Sequence, residues 1–204
     1  MRSALTALFL LALALPAARA FPAAAQIKTA FAAIDTSKNS ALSVEEWDAA
    51  SFALFRAADK NNNNVIDAAE LQGSTIAQDT FLRADTDRDG RLSVGEFMEL
   101  RRTIFRVADI DRDEFLGFVE YELLIVMEQV GWTDRNQNGR IELSELGDSL
   151  DKAFEVLDTD RDRQLSAEEA THMPADGFKK FDTDANGKLS PQEFIAGYRT
   201  TLLG

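Results

Sequence analysis

Cysteine is absent from the 204 residues of the chain, and histidine occurs once, at position 172. Without cysteine the chain can hold no disulfide, thiolate metal site or cysteine nucleophile. A single histidine argues against a multi-histidine metal site and against a His-based catalytic triad. Basic residues number 22 against 35 acidic ones, so the net charge is −13 and a basic nucleic-acid-binding face is not expected. What remains is an acidic chain, rich in oxygen ligands, whose 45% apolar content suits a folded protein.

The N-terminal residues have the pattern of a secretory signal peptide. Arg2 precedes an apolar run over residues 4–15, and a small-residue triplet, Ala-Arg-Ala, ends at Ala20. The run of 12 residues is shorter than the ~20 needed to cross a bilayer. We therefore predict a signal peptide over residues 1–20, with Ala25 as a second cleavage position, and a soluble protein exported to the periplasm or secreted. The alternative is a buried N-terminal helix.

The rest of the chain is a repeat in which three separate sets of positions recur together. An Asp opens each of seven segments, which are spaced by 24 to 26 residues: Asp35, Asp59, Asp85, Asp109, Asp134, Asp158 and Asp182. Eleven positions after each Asp stands a Glu: Glu46, Glu70, Glu96, Glu120, Glu145, Glu169 and Glu193. The eighth position is always Leu or Ile, and Phe or Val precedes each Asp by four residues. Registers that recur together seven times are not an accident of composition.

This pattern resembles the EF-hand calcium-binding superfamily. Calcium takes six to eight oxygen ligands, and an EF-hand loop supplies them from side chains at positions 1, 3 and 5, a carbonyl at 7, often a water at 9, and a bidentate Glu at 12. The resemblance implies an all-α array of helix–loop–helix units over residues 26–204 that binds four to seven calcium ions. Its loops, numbered first to seventh, are 35–46, 59–70, 85–96, 109–120, 134–145, 158–169 and 182–193.

The metal ligands that the resemblance implies are most complete in four loops. Three loops carry Gly at the sixth position, where the chain turns sharply. Their ligands are, in the third loop, Asp85, Asp87, Asp89, Arg91 and Glu96; in the fifth loop, Asp134, Asn136, Asn138, Arg140 and Glu145; and in the seventh loop, Asp182, Asp184, Asn186, Lys188 and Glu193. The second loop has Asn64 at this position, and its ligands are Asp59, Asn61, Asn63, Val65 and Glu70.

The other three loops depart further from the family pattern. The sixth loop has Arg163 at the turn, and its ligands are Asp158, Asp160, Asp162 and Glu169. The fourth loop has Glu114 at the turn, and its ligands are Asp109, Asp111, Asp113 and Glu120. The first loop keeps only two carboxylates, and its ligands are Asp35, Ser37, Asn39 and Glu46. A non-Gly residue at the turn costs about 1 kcal/mol, so these sites are expected to be weaker.

The short spacing leaves room for only one helix between successive loops. The exit helix of one loop should therefore serve as the entry helix of the next, with loops n and n+2 nearer to each other than neighbouring loops. Pro174 and Gly131 should interrupt two of these helices, and Gly73-Ser74 should kink a third. The histidine beside Pro174, His172, is predicted to lie exposed in a loop.

The nearly apolar segment from Tyr121 to Met127 is predicted to lie in the core, with a partner-binding surface as the alternative. No catalytic motif lies outside the repeats, so an enzyme is not expected. The predicted function is a calcium buffer or store, or a calcium-stabilised structural protein; a calcium-triggered interaction protein and a regulatory subunit of an exported enzyme are the alternatives. We expect no nucleic-acid partner, no membrane span and a monomer, with a terminal loop as the one that lacks a pairing partner.

Overall fold

The computed structural model describes residues 21–72, 74, 76, 78–138 and 140–203. Over these residues the chain forms nine helices: α1 Ala24–Ile34, α2 Val44–Ala58, α3 Ala68–Gln72, α4 Gln78–Ala84, α5 Val94–Ala108, α6 Phe118–Val130, α7 Leu143–Leu157, α8 Ala175–Phe181 and α9 Pro191–Leu203. Four short strands lie inside the loops: β1 Ala41–Ser43, β2 Val65–Ile66, β3 Leu92–Ser93 and β4 Phe115–Gly117. The predicted all-α class is confirmed. None of the described helices combines the length and apolarity needed to cross a membrane.

Unbroken and interrupted connections alternate along the chain. Helices α2, α5 and α7, of 15 residues each, run from the first loop to the second, from the third to the fourth and from the fifth to the sixth. The predicted sharing of helices is confirmed for these three pairs of loops. The other three connections are interrupted between α3 and α4, at Gly131 with φ +87°, and at Pro174, which caps α8. Gly73 and the predicted signal peptide lie outside the described residues.

Strand contacts between loops show which loops are neighbours. β1 pairs antiparallel with β4, with Leu42 opposite Leu116, and β2 pairs with β3, with Ile66 opposite Leu92. The sixth and seventh loops exchange two hydrogen bonds of 2.8 and 2.9 Å between the backbones of Leu165 and Leu189. The pairs are therefore first with fourth, second with third and sixth with seventh. The predicted proximity of loops n and n+2 is wrong, because the chain reverses at each interrupted connection.

The first core lies between the antiparallel helices α2 and α5. The buried Trp47 indole Nε1–H donates to the carbonyl of Arg101 over 2.8 Å, and the Arg101 guanidinium lies 4.3 Å from the centre of the Trp47 ring. Phe55 and Phe97, four residues before one loop and one residue after another, pack with their ring centres 5.7 Å apart. The first of these positions is Phe or Val in every repeat. Buried rings of this size contribute most of the apolar area that stabilises such a core.

The second core lies between α7, α8 and α9. Phe154 and Phe194 occupy the same repeat positions as the aromatic pair in the first core, and their ring centres lie 5.8 Å apart. Tyr198 packs edge-on against Phe194 and against Phe181, with centroid distances of 5.0 and 5.1 Å. The two halves of the chain therefore build their cores from the same register of the repeat.

Helix α6 belongs to both cores. Tyr121, Leu124 and Ile125 pack in the first core, whereas Leu123, Val126 and Met127 pack in the second. All residues from 121 to 127 are buried, which confirms the core prediction for this segment. Glu122 is buried with them and accepts a hydrogen bond of 2.7 Å from the Tyr198 hydroxyl. Desolvation raises the pKa of Glu122 to about 7.

The predicted exposure of His172 is wrong, because the side chain is completely buried. The backbone N–H of Ala24 donates to the carbonyl of Thr171 over 2.8 Å, and the Phe21 ring lies 6.2 Å from the imidazole. The beginning of the described chain thus covers a segment almost 150 residues away. His172 Nε2 lies 3.4 Å from the Tyr198 hydroxyl, and desolvation lowers the His172 pKa to about 4.

The buried His172 should make the free energy of unfolding depend on pH. Its pKa in the folded protein lies below the ordinary 6.5, so the stability that its neutral form provides is present above pH 6.5 and is lost as the pH falls toward 4. We expect this residue alone to lower the free energy of unfolding by roughly 2 kcal/mol between pH 7 and pH 5. Chemical denaturation in excess calcium, with wild type and His172→Gln at both pH values, measures this difference. An identical pH dependence in the two proteins would contradict it.

Candidate metal centres

The seven loops have one backbone conformation, whatever residue stands at the turn. The fourth position has positive φ in every loop, from 57° at Gln137 to 64° at Arg112. The sixth position also has positive φ wherever it is described, at Ser40, Asn64, Gly90, Glu114, Arg163 and Gly187. The non-Gly turn residues therefore adopt the loop conformation and strain it without changing it.

The Glu at position 12 closes each loop in the same way. One carboxylate oxygen accepts a hydrogen bond from the backbone N–H of the second or third position, and the other accepts from the N–H of the ninth. In the third loop, for example, Glu96 accepts from Thr86 over 3.0 Å and from Ser93 over 3.0 Å. The carboxylate is thereby held over the loop centre, where a bidentate ligand is needed.

The ligands at positions 1 and 5 are also oriented by the loop backbone. The side chain at position 5 accepts a hydrogen bond from the N–H of position 7 in all seven loops, at 2.8 or 2.9 Å. The Asp at position 1 accepts from the N–H of position 5 at 3.1 Å in five loops, those of Asp35, Asp59, Asp85, Asp158 and Asp182, and at 3.3 Å in that of Asp134. These bonds use one lone pair of each oxygen, and a further lone pair is left for a cation.

Carboxylate oxygens converge in four of the loops. In each, ligand atoms from three residues lie within 4.8 Å of one another: Asp85, Asp87 and Glu96; Asp109, Asp111 and Glu120; Asp158, Asp160 and Glu169; and Asp182, Asp184 and Glu193. The first, second and fifth loops have Ser37, Asn61 and Asn136 at position 3, so they contribute fewer carboxylates. An all-oxygen ligand set of this kind fits calcium better than a soft transition metal.

Hydrogen bonding holds three of the closing carboxylates in their charged form. The hydroxyl of Ser93 is the main cause that lowers the pKa of Glu96 to about 2, and the backbone N–H of Ser190 lowers the pKa of Glu193 to about 2. Burial opposes this effect at Glu169, but hydrogen bonds to Ser166 and Thr159 still lower its pKa to about 2. These groups remain ionised, as calcium ligands must be, over the whole physiological pH range.

The fourth loop differs because burial raises the pKa of two of its carboxyl groups. Desolvation raises the pKa of Glu120 to about 7, and desolvation together with the charge of Asp113 raises the pKa of Asp109. One oxygen of Asp109, Oδ1, is buried without a hydrogen-bond partner. A buried carboxylate oxygen without a hydrogen-bond donor is costly, and a divalent cation would compensate it. This loop therefore fits a metal ion in spite of Glu114 at its turn.

Two features of the loops were not found from the sequence. Thr at position 2 donates its hydroxyl to the closing Glu in four loops, through Thr36, Thr86, Thr159 and Thr183. The recurrence of Thr at that position was the available signal. The Lys188 ammonium forms an ion pair with Asp162 across the sixth and seventh loops, and no local pattern indicates this contact.

Replacing the closing Glu by Gln should show which loops bind calcium most strongly. Ser43 with Glu46 and Ser93 with Glu96 form equivalent capping boxes at the starts of two 15-residue helices, and Gln retains the box. The pair Glu46→Gln and Glu96→Gln therefore differs mainly in the loss of a bidentate calcium ligand. We expect Glu96→Gln to remove about one bound ion in calorimetric titration and Glu46→Gln to change the stoichiometry little. Equal losses in both variants would contradict the ranking of the loops by ligand charge and turn residue.

Known proteins match parts of this chain. A family model described as "EF hand" matches residues 53–73, 77–100 and 175–197. Calcium-dependent protein kinase 20 of Oryza sativa subsp. japonica is 32% identical over 165 residues, 76% of this chain and 25% of that protein. The mitochondrial adenyl nucleotide antiporter SLC25A24 of Mus musculus is 31% identical over 107 residues, 48% of this chain and 19% of that protein. The chain thus spans a quarter or less of the length of these curated relatives.

The matched segments coincide with loops that the structure forms. They contain the second, third and seventh loops, each with its flanking helical residues. A light-sensitive photoprotein aligns with 84% of this chain and 77% of its own at 20% identity, but the TM-score of 0.27 is too low to carry a conclusion. The repeated ligand spacing, the common loop geometry and the matched segments agree. The chain belongs to the EF-hand calcium-binding family.

Proposed function

We propose that this EF-hand chain is an exported calcium-binding protein that acts as a calcium buffer or store, or whose own structure calcium stabilises. The observation that carries this proposal is the complete burial of the apolar segment from Tyr121 to Met127. A sensor needs an apolar surface that calcium can expose, and this strongly apolar helix instead holds two cores together. Its side chains could be released only by separating both cores.

The charge of the loops supports a role that depends on calcium occupancy. Most of the 35 acidic residues stand at ligand positions, where several carboxylates lie within a few ångströms of each other. Without cations these groups repel one another and weaken the fold, and bound calcium removes the repulsion. The name of the kinase relative, which describes it as calcium-dependent, agrees with calcium as the ion.

A calcium-triggered interaction protein, or a regulatory subunit of an exported partner, is the second candidate function. Both candidate functions are binding functions that need no catalysis. The repeat, which occupies the chain from residue 26 onward, supports a binding function, and so does the burial of His172, which keeps the single imidazole away from a substrate. The two candidates differ in what calcium does to apolar surface, since a buffer hides it and a sensor exposes it.

Chelation should loosen the protein. We expect lower helix content and a lower melting temperature in excess chelator than in calcium, because the ligand carboxylates are then uncompensated. Circular dichroism measures both quantities, and an apolar dye added to the same samples reports exposed apolar surface. Dye fluorescence that falls as calcium is added supports the buffer or structural role. Fluorescence that rises with calcium favours the sensor, and identical melting curves would contradict calcium stabilisation altogether.

Export is proposed from the pattern of the first 20 residues. The mature N-terminus should be Phe21, since the triplet before it has the small residues that signal peptidases require. Expression with the native N-terminus, fractionation and N-terminal sequencing measure this directly. Cleavage after Ala25 would move the terminus into α1, and an uncleaved chain in the cytoplasm would contradict the proposal.

A further inference from the structure

The fifth loop, 134–145, differs from the other six in the strand contact at its eighth position. Over the described residues, the other loops pair as first with fourth, second with third and sixth with seventh. Ile141 occupies the eighth position of the fifth loop, and its side chain is buried like those of its counterparts. Its backbone N–H and carbonyl form no hydrogen bond with any described residue. The prediction that a terminal loop lacks a partner is therefore wrong, since both terminal loops are paired.

The unpaired segment faces an open cavity of about 840 Å³. Residues 141–144 of the fifth loop form one wall, residues 110–112 form a second, and the end of α9 at Thr201–Leu203 forms a third. Leu143 and Leu203 are large apolar residues that stay 54% and 45% exposed at this cavity. The cavity therefore places an apolar surface beside the unpaired backbone of Ile141.

The three pairs within the chain show how a partner would fit. In the fully formed pairs the strands are antiparallel with eighth position opposite eighth, so position 7 of one loop stands opposite position 9 of the other: Ala41 opposite Gly117, and Val65 opposite Ser93. Such a register is symmetric about a local two-fold axis. A loop can therefore pair with an identical loop of a second molecule in the same register.

The charges of the fifth loop suit pairing with itself. Its position 7 is Arg140, which is exposed, and its position 9 is Glu142. In the register of the other pairs, Arg140 of each copy would stand opposite Glu142 of the other copy, with Ile141 opposite Ile141 between them. Two ion pairs would thus flank one apolar contact, and opposite charges at facing positions stabilise strand pairing. No other loop has charges of opposite sign at positions 7 and 9.

We propose that the fifth loop is a self-association site at which two copies of this chain pair their Arg140–Glu142 segments. The dimer replaces the monomer expected from the sequence, which assumed that the chain satisfies its own strand edges. Pairing satisfies the free backbone groups of Ile141, and the second copy covers Leu143 and Leu203.

The test is a charge exchange between the facing positions. In Arg140→Glu, both facing positions of a homodimer are acidic, and in Glu142→Arg both are basic. We expect each single variant to raise the dimer dissociation constant about tenfold, because two favourable pairs become two repulsive ones. An equimolar mixture of the two variants makes every facing pair opposite in charge again. This mixture should therefore dimerise as wild type does, in sedimentation velocity with excess calcium.

Arg88→Glu provides the control. It reverses the charge of an exposed residue in the third loop, which is already paired within the chain, so the dimer dissociation constant should not change. Circular dichroism of each variant shows whether it is folded. The proposal is overturned by wild type that sediments as a monomer at high micromolar concentration, by single variants that dimerise as wild type does, or by folded single variants whose mixture stays monomeric.

Discussion

Helix α6 has almost no polar face, so it has to be covered on every side. The chain covers it with two cores, each formed by helices from a different half of the sequence. The first core is built around α2 and α5, the second around α7, α8 and α9, and the side chains of residues 121–127 divide between them. Hydrophobic burial of this helix therefore joins the two halves of the molecule. The only charged residue within the segment, Glu122, is compensated by the hydroxyl of Tyr198 from the second half.

Each metal loop is connected to these cores by the residue that closes it. In every loop except the sixth, the Glu at position 12 lies in the first turn of the exit helix, and in the first and third loops it also forms a capping box with the Ser at position 9. The residue that follows it is a core aromatic, Trp47 or Phe97. In these two loops the metal ligand and the core residue are therefore neighbours in the sequence, so gain or loss of the ion acts directly on the start of a helix and on the core.

Local spacing predicted the loops, the shared helices and the burial of residues 121–127, because each depends on residues within about a dozen positions of each other. The pairing of loops was predicted wrongly, since it depends on the direction that the chain takes after each interruption, and a Gly or Pro marks a break without giving its angle. The position of His172 was missed for a similar reason. Its cover comes from Phe21 and Ala24, and no local pattern reports such a contact. The same long-range pairing decides that the fifth loop, and not a terminal loop, has no partner among the described residues.

The nested pairing of the first four loops has a consequence for the order in which the protein folds. Ile66 and Leu92, in the inner pair, are 26 positions apart, whereas Leu42 and Leu116, in the outer pair, are 74 positions apart. Closing the longer segment costs about 1 kcal/mol more in chain entropy if nothing else has formed. Once the inner pair has brought α2 and α5 side by side, the ends of these helices are already close, and the outer pair closes at little further cost. We therefore expect the inner pair of loops to form before the outer pair during folding.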